Sequence, residues 1–269
     1  MEIRALGPLR IIEDGVSYLP TAPKQRQLLA LLLMNARQPV STAVCLEELW
    51  FGQPPRSGRT TLQTYVMHLR HALAGIPSVG TTAAARALLD TEGDGYVFRT
   101  APGRLDIDRF RRLVAQGRQA AYGGDRVGAA RALRSALGLW CGPALADVRP
   151  GPVLGTALTH LEQTRLAVLH ECVHLELALG RHRELISELV ALVRRYPLDE
   201  TVHGQFMLAL YRSGRQVEAL DEYHRLRARL AAELAVGPSG WIQDLYRGIL
   251  LGDPALEVPP HEPPAGLAG

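Results

Sequence analysis

Two helical patterns joined by a short loop, between Val40 and Leu73, constrain the fold of this chain more than any other stretch. In the longer pattern, about 58–74, apolar side chains recur at the spacing of one helical face: Leu62, Val66, Leu69 and Leu73. This face must be buried. Ser41 is the expected N-cap of the shorter helix, and Ser57 that of the longer one. The stretch therefore predicts a short helix, a loop and a longer helix.

The opposite face of the longer helix is polar and free of acidic residues. It carries Thr60, Thr64, Met67, His68 and His71, with Thr61, Gln63 and Arg70 on its flanks. No Asp or Glu occurs between Glu48 and Asp90, whereas four arginines do. Such a helix can approach a polyanion without repulsion. The pattern favours DNA binding over an ordinary solvated surface, which usually mixes both charge signs.

The segments on either side of this helix pair extend it to a complete small fold. Residues 2–20 have the pattern of short strands, and 24–36 that of an amphipathic helix. After a polar linker, strands are predicted at 87–91 and 96–100, around the turn signal Glu92-Gly93-Asp94-Gly95. Together these elements predict a winged helix-turn-helix. In that fold the second helix of the pair enters the major groove, and the hairpin can reach a minor groove.

Three cations outside the long helix are candidate contacts to the DNA backbone. Lys24 and Arg26 lie in the first turn of the helix predicted at 24–36. A cation there opposes the helix dipole, and a bound phosphate would offset that cost. Arg99 lies on the predicted hairpin and is the natural contact to a minor groove or to a phosphate.

From Leu105 onward the pattern contains helices only. They are predicted at 106–122, 125–139, 156–180, 182–195, 199–213, 215–232 and 238–251. An internal echo aligns Gly180 with Gly214, at the 34-residue offset of the tetratricopeptide period. The predicted fold is therefore mainly α with a small β part. It divides into a winged helix-turn-helix at 1–103, a tetratricopeptide-like helical domain at 104–251 and a disordered, proline-rich tail at 252–269.

Composition adds weaker constraints. The formal net charge of +3 is too small to indicate a nucleic-acid partner by itself. The three cysteines are widely spaced, which argues for a reducing cytoplasm, and Cys45 and Cys172 are expected in the core. No signal peptide, membrane span, cofactor or Walker-type glycine loop is indicated. The expected location is the cytoplasm, in association with the nucleoid.

Motifs along nearly the whole chain resemble those of the Streptomyces antibiotic regulatory proteins. The N-terminal motifs are PKQRQLLALLL, EELWFG followed by PP, and TLQTYVMHLRHAL. The C-terminal motifs are LDIDRFRRLV, ALGLWCGPALADV, LALGRHRELISEL, YPLDE, ALYRSGRQVEALDEYHRLRARLAAEL and GPSGWIQDLYRGIL. The resemblance implies an OmpR-type winged helix-turn-helix followed by a bacterial transcriptional activator domain. It is a resemblance to the short members, which lack ATPase and sensor extensions.

The resemblance implies an activator of secondary-metabolite gene clusters. Such a protein binds direct repeats near a promoter, as a homodimer or as side-by-side protomers, and contacts sigma and other subunits of RNA polymerase. The family's recognition-helix pattern places DNA contacts on Thr60, Thr61, Thr64, Tyr65, His68 and Arg70. The full predicted interface adds Lys24, Arg26, Arg59, Gln63, His71 and Arg99.

Two positions of this pattern bear on how bases are read. Tyr65 lies near the buried edge of the helix, so its ring is expected to pack while its hydroxyl reaches a phosphate. Met67 and His68 stand where many relatives carry Arg or a small polar residue. Arginine reading guanine is the commonest specific contact, so a methyl group against thymine, or His71, is the substitute here.

Two alternatives to a DNA-binding regulator remain open from the sequence. His170-Glu171-Cys172-Val173-His174 matches the H-E-x-x-H pattern of zinc proteases, with both histidines on one helical face. A catalytic site also needs a third ligand, and His182 does not fit the usual extended motifs. The other alternative is a helical-repeat scaffold without a DNA role. The acid-free window argues against it, and no enzymatic activity is predicted.

Overall fold

The computed structural model describes residues 1–257, and its first compact unit comprises 1–118 together with 132–168. This unit begins with an antiparallel sheet of three short strands. They are β1 (Glu2–Arg4), β2 (Arg10–Glu13) and β3 (Val16–Ser17). Ile3 pairs with Ile11, and both side chains are fully buried. One face of the sheet thus covers the core, as the alternation of the sequence predicts.

Three helices follow the sheet. They are α1 (Pro23–Met34), α2 (Thr42–Trp50) and α3 (Gly58–Ala74). The stripe predicted for α3 is buried, and none of its four side chains is more than 2% exposed: Leu62, Val66, Leu69 and Leu73. Ser41 caps α2, because its hydroxyl accepts a hydrogen bond from the Val44 N–H. Ser57 is the N-cap residue of α3 as predicted, but its side chain makes no capping hydrogen bond, because its ψ of 5° is not the extended conformation that directs the hydroxyl to the helix.

A short helix replaces part of the polar linker that the sequence predicted after α3. This helix, α4, spans Thr82–Leu88, and the hydroxyl of Thr81 accepts a hydrogen bond from the Ala84 N–H at 3.1 Å. Four of its seven residues are alanine, the residue with the highest helix propensity. The prediction of a strand beginning at Ala87 is therefore wrong, because Ala87 and Leu88 belong to α4.

The wing is the hairpin of β5 (Leu89–Glu92) and β6 (Gly95–Phe98). A further strand that the sequence did not predict, β4 (Val40–Ser41), pairs with β6. Their backbones approach so closely at Gly95 that a Cβ there would lie 2.4 Å from the Val40 carbonyl oxygen. Only glycine fits this position, which fixes the base of the wing beside the start of α2.

The remaining helices agree with the predicted ones to within four residues at each end. They are α5 (Asp106–Tyr122), α6 (Arg126–Leu137), α7 (Pro152–Ala178), α8 (His182–Arg195), α9 (Glu200–Arg212), α10 (Gln216–Leu234) and α11 (Gly240–Leu251). None of the helices within 1–257 is long and apolar enough to cross a membrane.

Two buried carboxylates connect the winged fold to later segments of the first unit. Asp106 accepts hydrogen bonds from the backbone N–H groups of Ala5 and Leu6 at 2.8–2.9 Å. Glu48, which is fully buried, accepts from the N–H groups of Gly151 and Leu154 at 2.6 and 2.9 Å. These last donors belong to the start of α7, where the helix dipole favours an anion.

The compact units therefore divide the chain at other places than the predicted boundary between 103 and 104. Residues 104–118 and 132–168 group with the winged fold, while the second unit contains 119–131 and the chain from 169 onward. The Asp106 and Glu48 contacts give the physical reason for this grouping in the first unit. The limits of the functional domains stay a prediction.

The second unit contains two helix–glycine–helix hairpins, which explain the 34-residue echo. Gly180 ends α7 with φ +78°, and Gly214 follows α9 with φ +76°. After each glycine, the next N–H bonds back across the turn, Arg181 to the Glu176 carbonyl at 3.0 Å and Arg215 to the Leu210 carbonyl at 2.9 Å. The left-handed conformation needed there favours glycine. The repeat is thus a repeated helix ending.

Part of the tail predicted to be disordered is ordered. Pro254–Leu256 form a 3-10 helix, and Arg212 Nε donates to the Leu256 carbonyl at 2.7 Å. Leu256 also packs against the core cluster of the second unit. The prediction was wrong for 252–257 because it counted prolines and overlooked the apolar Leu256. Residues 258–269, the rest of the predicted tail, lie outside the described residues.

Candidate nucleic-acid interface

The outer face of α3 is the surface formed by its exposed and half-buried polar side chains and one methionine. Its members are Thr60, Gln63, Thr64, Met67, His68 and His71. Met67 is 59% exposed, which leaves its methyl group free to contact a partner. The hydroxyl of Thr64 donates to the Thr60 carbonyl at 3.0 Å, so it can accept but not donate outward. No acidic residue lies within α3.

A contact from α1 orients one member of this face. The amide nitrogen of Gln25, in the first turn of α1, lies 2.9 Å from Nδ1 of His68. Sequence analysis missed Gln25, although it considered the cations on either side of it. Helical periodicity describes one helix at a time, and this hydrogen bond joins residues 43 positions apart. No signal in the sequence marked it.

The two cations predicted at the start of α1 both have partners inside the protein. The Lys24 ammonium donates to the Leu49 carbonyl, near the C-terminal end of α2 where the helix dipole favours a cation. Arg26 forms an ion pair with Asp147, whose other oxygen accepts from the Leu9 N–H at 2.7 Å. The dipole cost that suggested a phosphate is thus offset by internal acceptors. Phosphate contacts by Lys24 and Arg26 stay a prediction.

Arg70 connects α3 to the wing. Its Nε donates to the Leu89 carbonyl at 2.8 Å, and its Nη2 donates to the Thr91 hydroxyl at the same distance. Burial lowers the pKa of Arg70. The sequence placed Arg70 on a flank of the DNA-facing surface, whereas the structure uses two of its donors to position β5.

The wing carries three carboxylates, and two of the arginines predicted to reach DNA, Arg59 and Arg99, lie beside them. Arg99 pairs with Asp90, at 3.3 Å, and with Glu92. Arg59, at the start of α3, lies 3.8 Å from Asp94 and keeps 69% of its side chain exposed. The sequence argument for Arg99 considered its own charge and not that of its neighbours on the hairpin.

Tyr65 packs as its position near the buried edge of α3 predicted. Its ring stacks on Trp50 of α2, with the planes 11° apart and the centroids 6.4 Å apart. The side chain is half-buried, as is that of Thr61 on the same flank. Both residues therefore border the outer face of α3 and do not lie at its centre.

The residues that match the zinc-protease pattern, 170–174, do not form a metal site in the structure. His170 lies 3.2 Å from a carboxylate oxygen of Asp199, the residue that caps α9, and Cys172 is buried. Within the described part of the chain, no group of three or more His, Cys, Asp or Glu side chains could hold a metal ion. The pattern is accounted for by helix packing in the second unit.

Comparisons with known proteins match both halves of the chain to regulatory families. Residues 17–98 match the family described as transcriptional regulatory protein, C terminal, and 105–250 match the bacterial transcriptional activator domain. Regulatory protein DnrI of Streptomyces peucetius is 39% identical over 268 residues, covering 100% of this chain and 98% of that protein. Regulatory protein AfsR of Streptomyces coelicolor is 39% identical over 252 residues, covering 93% of this chain and 24% of that protein.

A solved structure matches at the level of fold as well. It is that of Mycobacterium tuberculosis EmbR in complex with a low-affinity phosphopeptide, with a TM-score of 0.85 and 32% sequence identity. The match covers 94% of this chain and 65% of that one. The order of a winged fold followed by a helical domain is therefore shared with a protein of known structure.

Proposed function

The chain belongs to the Streptomyces antibiotic regulatory protein family of transcriptional regulators, and we propose that it activates a secondary-metabolite gene cluster by binding direct repeats near the promoter. The observation that carries this proposal is the outer face of α3, which is exposed and acid-free while the opposite stripe of the same helix is buried. The relatives are named as regulatory proteins, and we propose no catalytic activity. The protein acts on the nucleoid, in the cytoplasm.

In this proposal α3 lies in the major groove and the outer face reads base edges. Thr60, Gln63, His68 and His71 supply hydrogen-bonding groups, and the exposed methyl group of Met67 meets a thymine methyl. No arginine lies at the centre of this face, because Arg59 is at the start of α3 and Arg70 is bonded to the wing. We therefore assign base reading at the centre to other side chains than arginine. Thr61 and Tyr65, at the border, contact the DNA backbone.

The cations around α3 contribute unequally to phosphate binding in this proposal. Arg59 is the most available because it is mostly exposed and only loosely paired with Asp94. Arg26 and Arg99 contact a phosphate only if it replaces their carboxylate partners. Lys24 contacts a phosphate while it keeps its hydrogen bond to the Leu49 carbonyl. The ion pairs of Arg99 are exposed, and such pairs are worth about 0–1 kcal/mol, so Arg99 exchanges partners at little cost. The Arg26–Asp147 pair is partly buried and costs more to break.

The helical repeats then serve protein contacts, as such surfaces usually do. Direct repeats imply head-to-tail protomers, spaced about 10–11 bp apart so that both lie on one face of the duplex. Contacts from these protomers to RNA polymerase recruit the enzyme. A coupling free energy of roughly 1–3 kcal/mol would raise polymerase occupancy at a weak promoter severalfold or more.

Selection of bound duplexes from a random library tests this proposal with the full-length chain. We expect one motif to be enriched twice in the same orientation, one helical turn apart. A salt titration on the winning duplex should have a log–log slope of about −0.9 for each phosphate contacted. If neither the protein alone nor the protein with RNA polymerase holoenzyme enriches a motif, a helical scaffold without a DNA role replaces the proposal.

A further inference from the structure

The hydrogen bond between Gln25 and His68 determines which chemical group His68 presents. The amide nitrogen of Gln25 can only donate, so Nδ1 of His68, 2.9 Å away, accepts. A neutral imidazole with an accepting Nδ1 carries its proton on Nε2. Among residues 1–257, no partner is bonded to Nε2 of His68, and the ring is exposed. The ring therefore offers a hydrogen-bond donor on the side away from Gln25.

The first turn of α1 holds Gln25 firmly. Pro23 stands at the first position of the helix, and the Gln25 N–H donates to the Ala22 carbonyl at 3.1 Å. Two residues on, Gln27 is buried and its amide donates to Glu48 at 3.0 Å. A side chain on such a fixed turn can orient a second side chain with little freedom lost on binding.

We propose that Gln25 is a positioning residue that fixes the tautomer and ring orientation of His68 and thereby sets base preference on α3. This inference rests on the proposed DNA-binding function. A donor at Nε2 matches guanine O6 or N7, adenine N7 and thymine O4, whereas the exposed group of cytosine is an amino donor. The pair thus selects against cytosine under His68. Without Gln25, the ring can rotate or change tautomer and accept from cytosine.

The test replaces Gln25 with a side chain of similar length that cannot donate, Gln25→Met. The base pair that His68 reads is first located as the position where His68→Ala loses its preference in the duplex selection. At that position Gln25→Met should reduce discrimination against cytosine by about three- to tenfold, the range for one lost hydrogen bond. Gln38→Met is the matched control, because Gln38 is an exposed glutamine beyond the end of α1.

Two further measurements separate positioning from a general structural effect. In a His68→Ala background, Gln25→Met should leave base preference unchanged, since the partner through which it acts is gone. In the free full-length protein, the ¹⁵N resonance of His68 Nδ1 should move when Gln25 is replaced, and stay in place in Gln38→Met. An unchanged preference in Gln25→Met, an equal effect without His68 or an unmoved Nδ1 resonance would each overturn the inference. If the wild-type chain bound no duplex specifically, the proposed function itself would be overturned.

Discussion

The outer face of α3 and the wing were both predicted to face DNA, yet they differ in charge. The outer face carries neutral polar groups and an exposed methionine, with no acid in the helix. The wing carries Asp90, Glu92 and Asp94, and its one arginine, Arg99, is paired with the first two. In the proposed complex with DNA, this difference assigns base reading to α3 and separates it from attraction to the backbone. Under this proposal α3 enters a groove without losing ion pairs, whereas the wing contacts a phosphate only after Arg99 leaves its carboxylate partners.

Placing a carboxylate on the outer face of α3 should have the largest effect. Met67→Glu brings a negative charge against the phosphates and removes the proposed methyl contact, so affinity for the selected duplex should fall by about 100-fold or more. Val217→Glu is the control, because Val217 is 72% exposed in the second unit. Fluorescence anisotropy with labelled duplex measures both. An equal loss of affinity in the two variants would show that the outer face of α3 is not the surface that contacts DNA.

Removing the connection between α3 and the wing should have the next largest effect. Arg70→Ala deletes two hydrogen bonds from a charged donor, so the free energy of unfolding should fall by about 2 kcal/mol in denaturant titration. His71→Ala, at the exposed residue next to Arg70, is the control and should leave the free energy of unfolding unchanged.

The salt dependence of DNA binding tells whether Arg70 is structural or touches a phosphate. If it only holds the wing, Arg70→Ala weakens binding to all sequences and leaves the log–log slope unaltered. A slope smaller by about 0.9 would show instead that Arg70 contacts the backbone directly.

Neutralising the wing should have a smaller effect of opposite sign. The double variant Asp90→Asn, Glu92→Gln releases Arg99 from both partners, so affinity should rise by about three- to tenfold and the salt slope should grow by about one phosphate. The double variant Asp221→Asn, Glu233→Gln, at two exposed acids of α10, controls for the same change of two charges. Unchanged affinity in the wing variant would place the wing away from DNA.

Thiol reactivity gives the smallest effect and reports on the packing around α2. Burial raises the pKa of Cys45, in α2, to about 12, and Cys172 is also buried, whereas Cys141 is exposed. At pH 8 the folded protein should therefore release one equivalent of product rapidly with a disulfide reagent, and three after denaturation. Fast reaction of Cys45 in the folded chain would mean that α2 separates readily from the elements packed against it.

Those features of the fold that depend on a single segment of the chain could be predicted from the sequence. The buried stripe of α3 and the cap at Ser41 follow from local periodicity and turn chemistry. The partners of the candidate cations could not be predicted in this way. Arg26 meets Asp147 across 121 positions, and no periodic pattern relates them. Short α4 was missed because its alanines give helix propensity without an apolar stripe.

The most direct test of the central claim compares chemical changes in the two grooves of the selected duplex. Replacing guanine by 7-deazaguanine and thymine by uracil alters only the major groove, and replacing guanine by inosine alters the minor groove. In the proposed complex α3 lies in the major groove, and the acid-bearing wing lies outside the minor groove. The protein should therefore bind the duplex with 7-deazaguanine and uracil about tenfold more weakly or worse, and it should bind the inosine duplex with unchanged affinity. Weakening by inosine alone would contradict the assignment of α3 as the reading element.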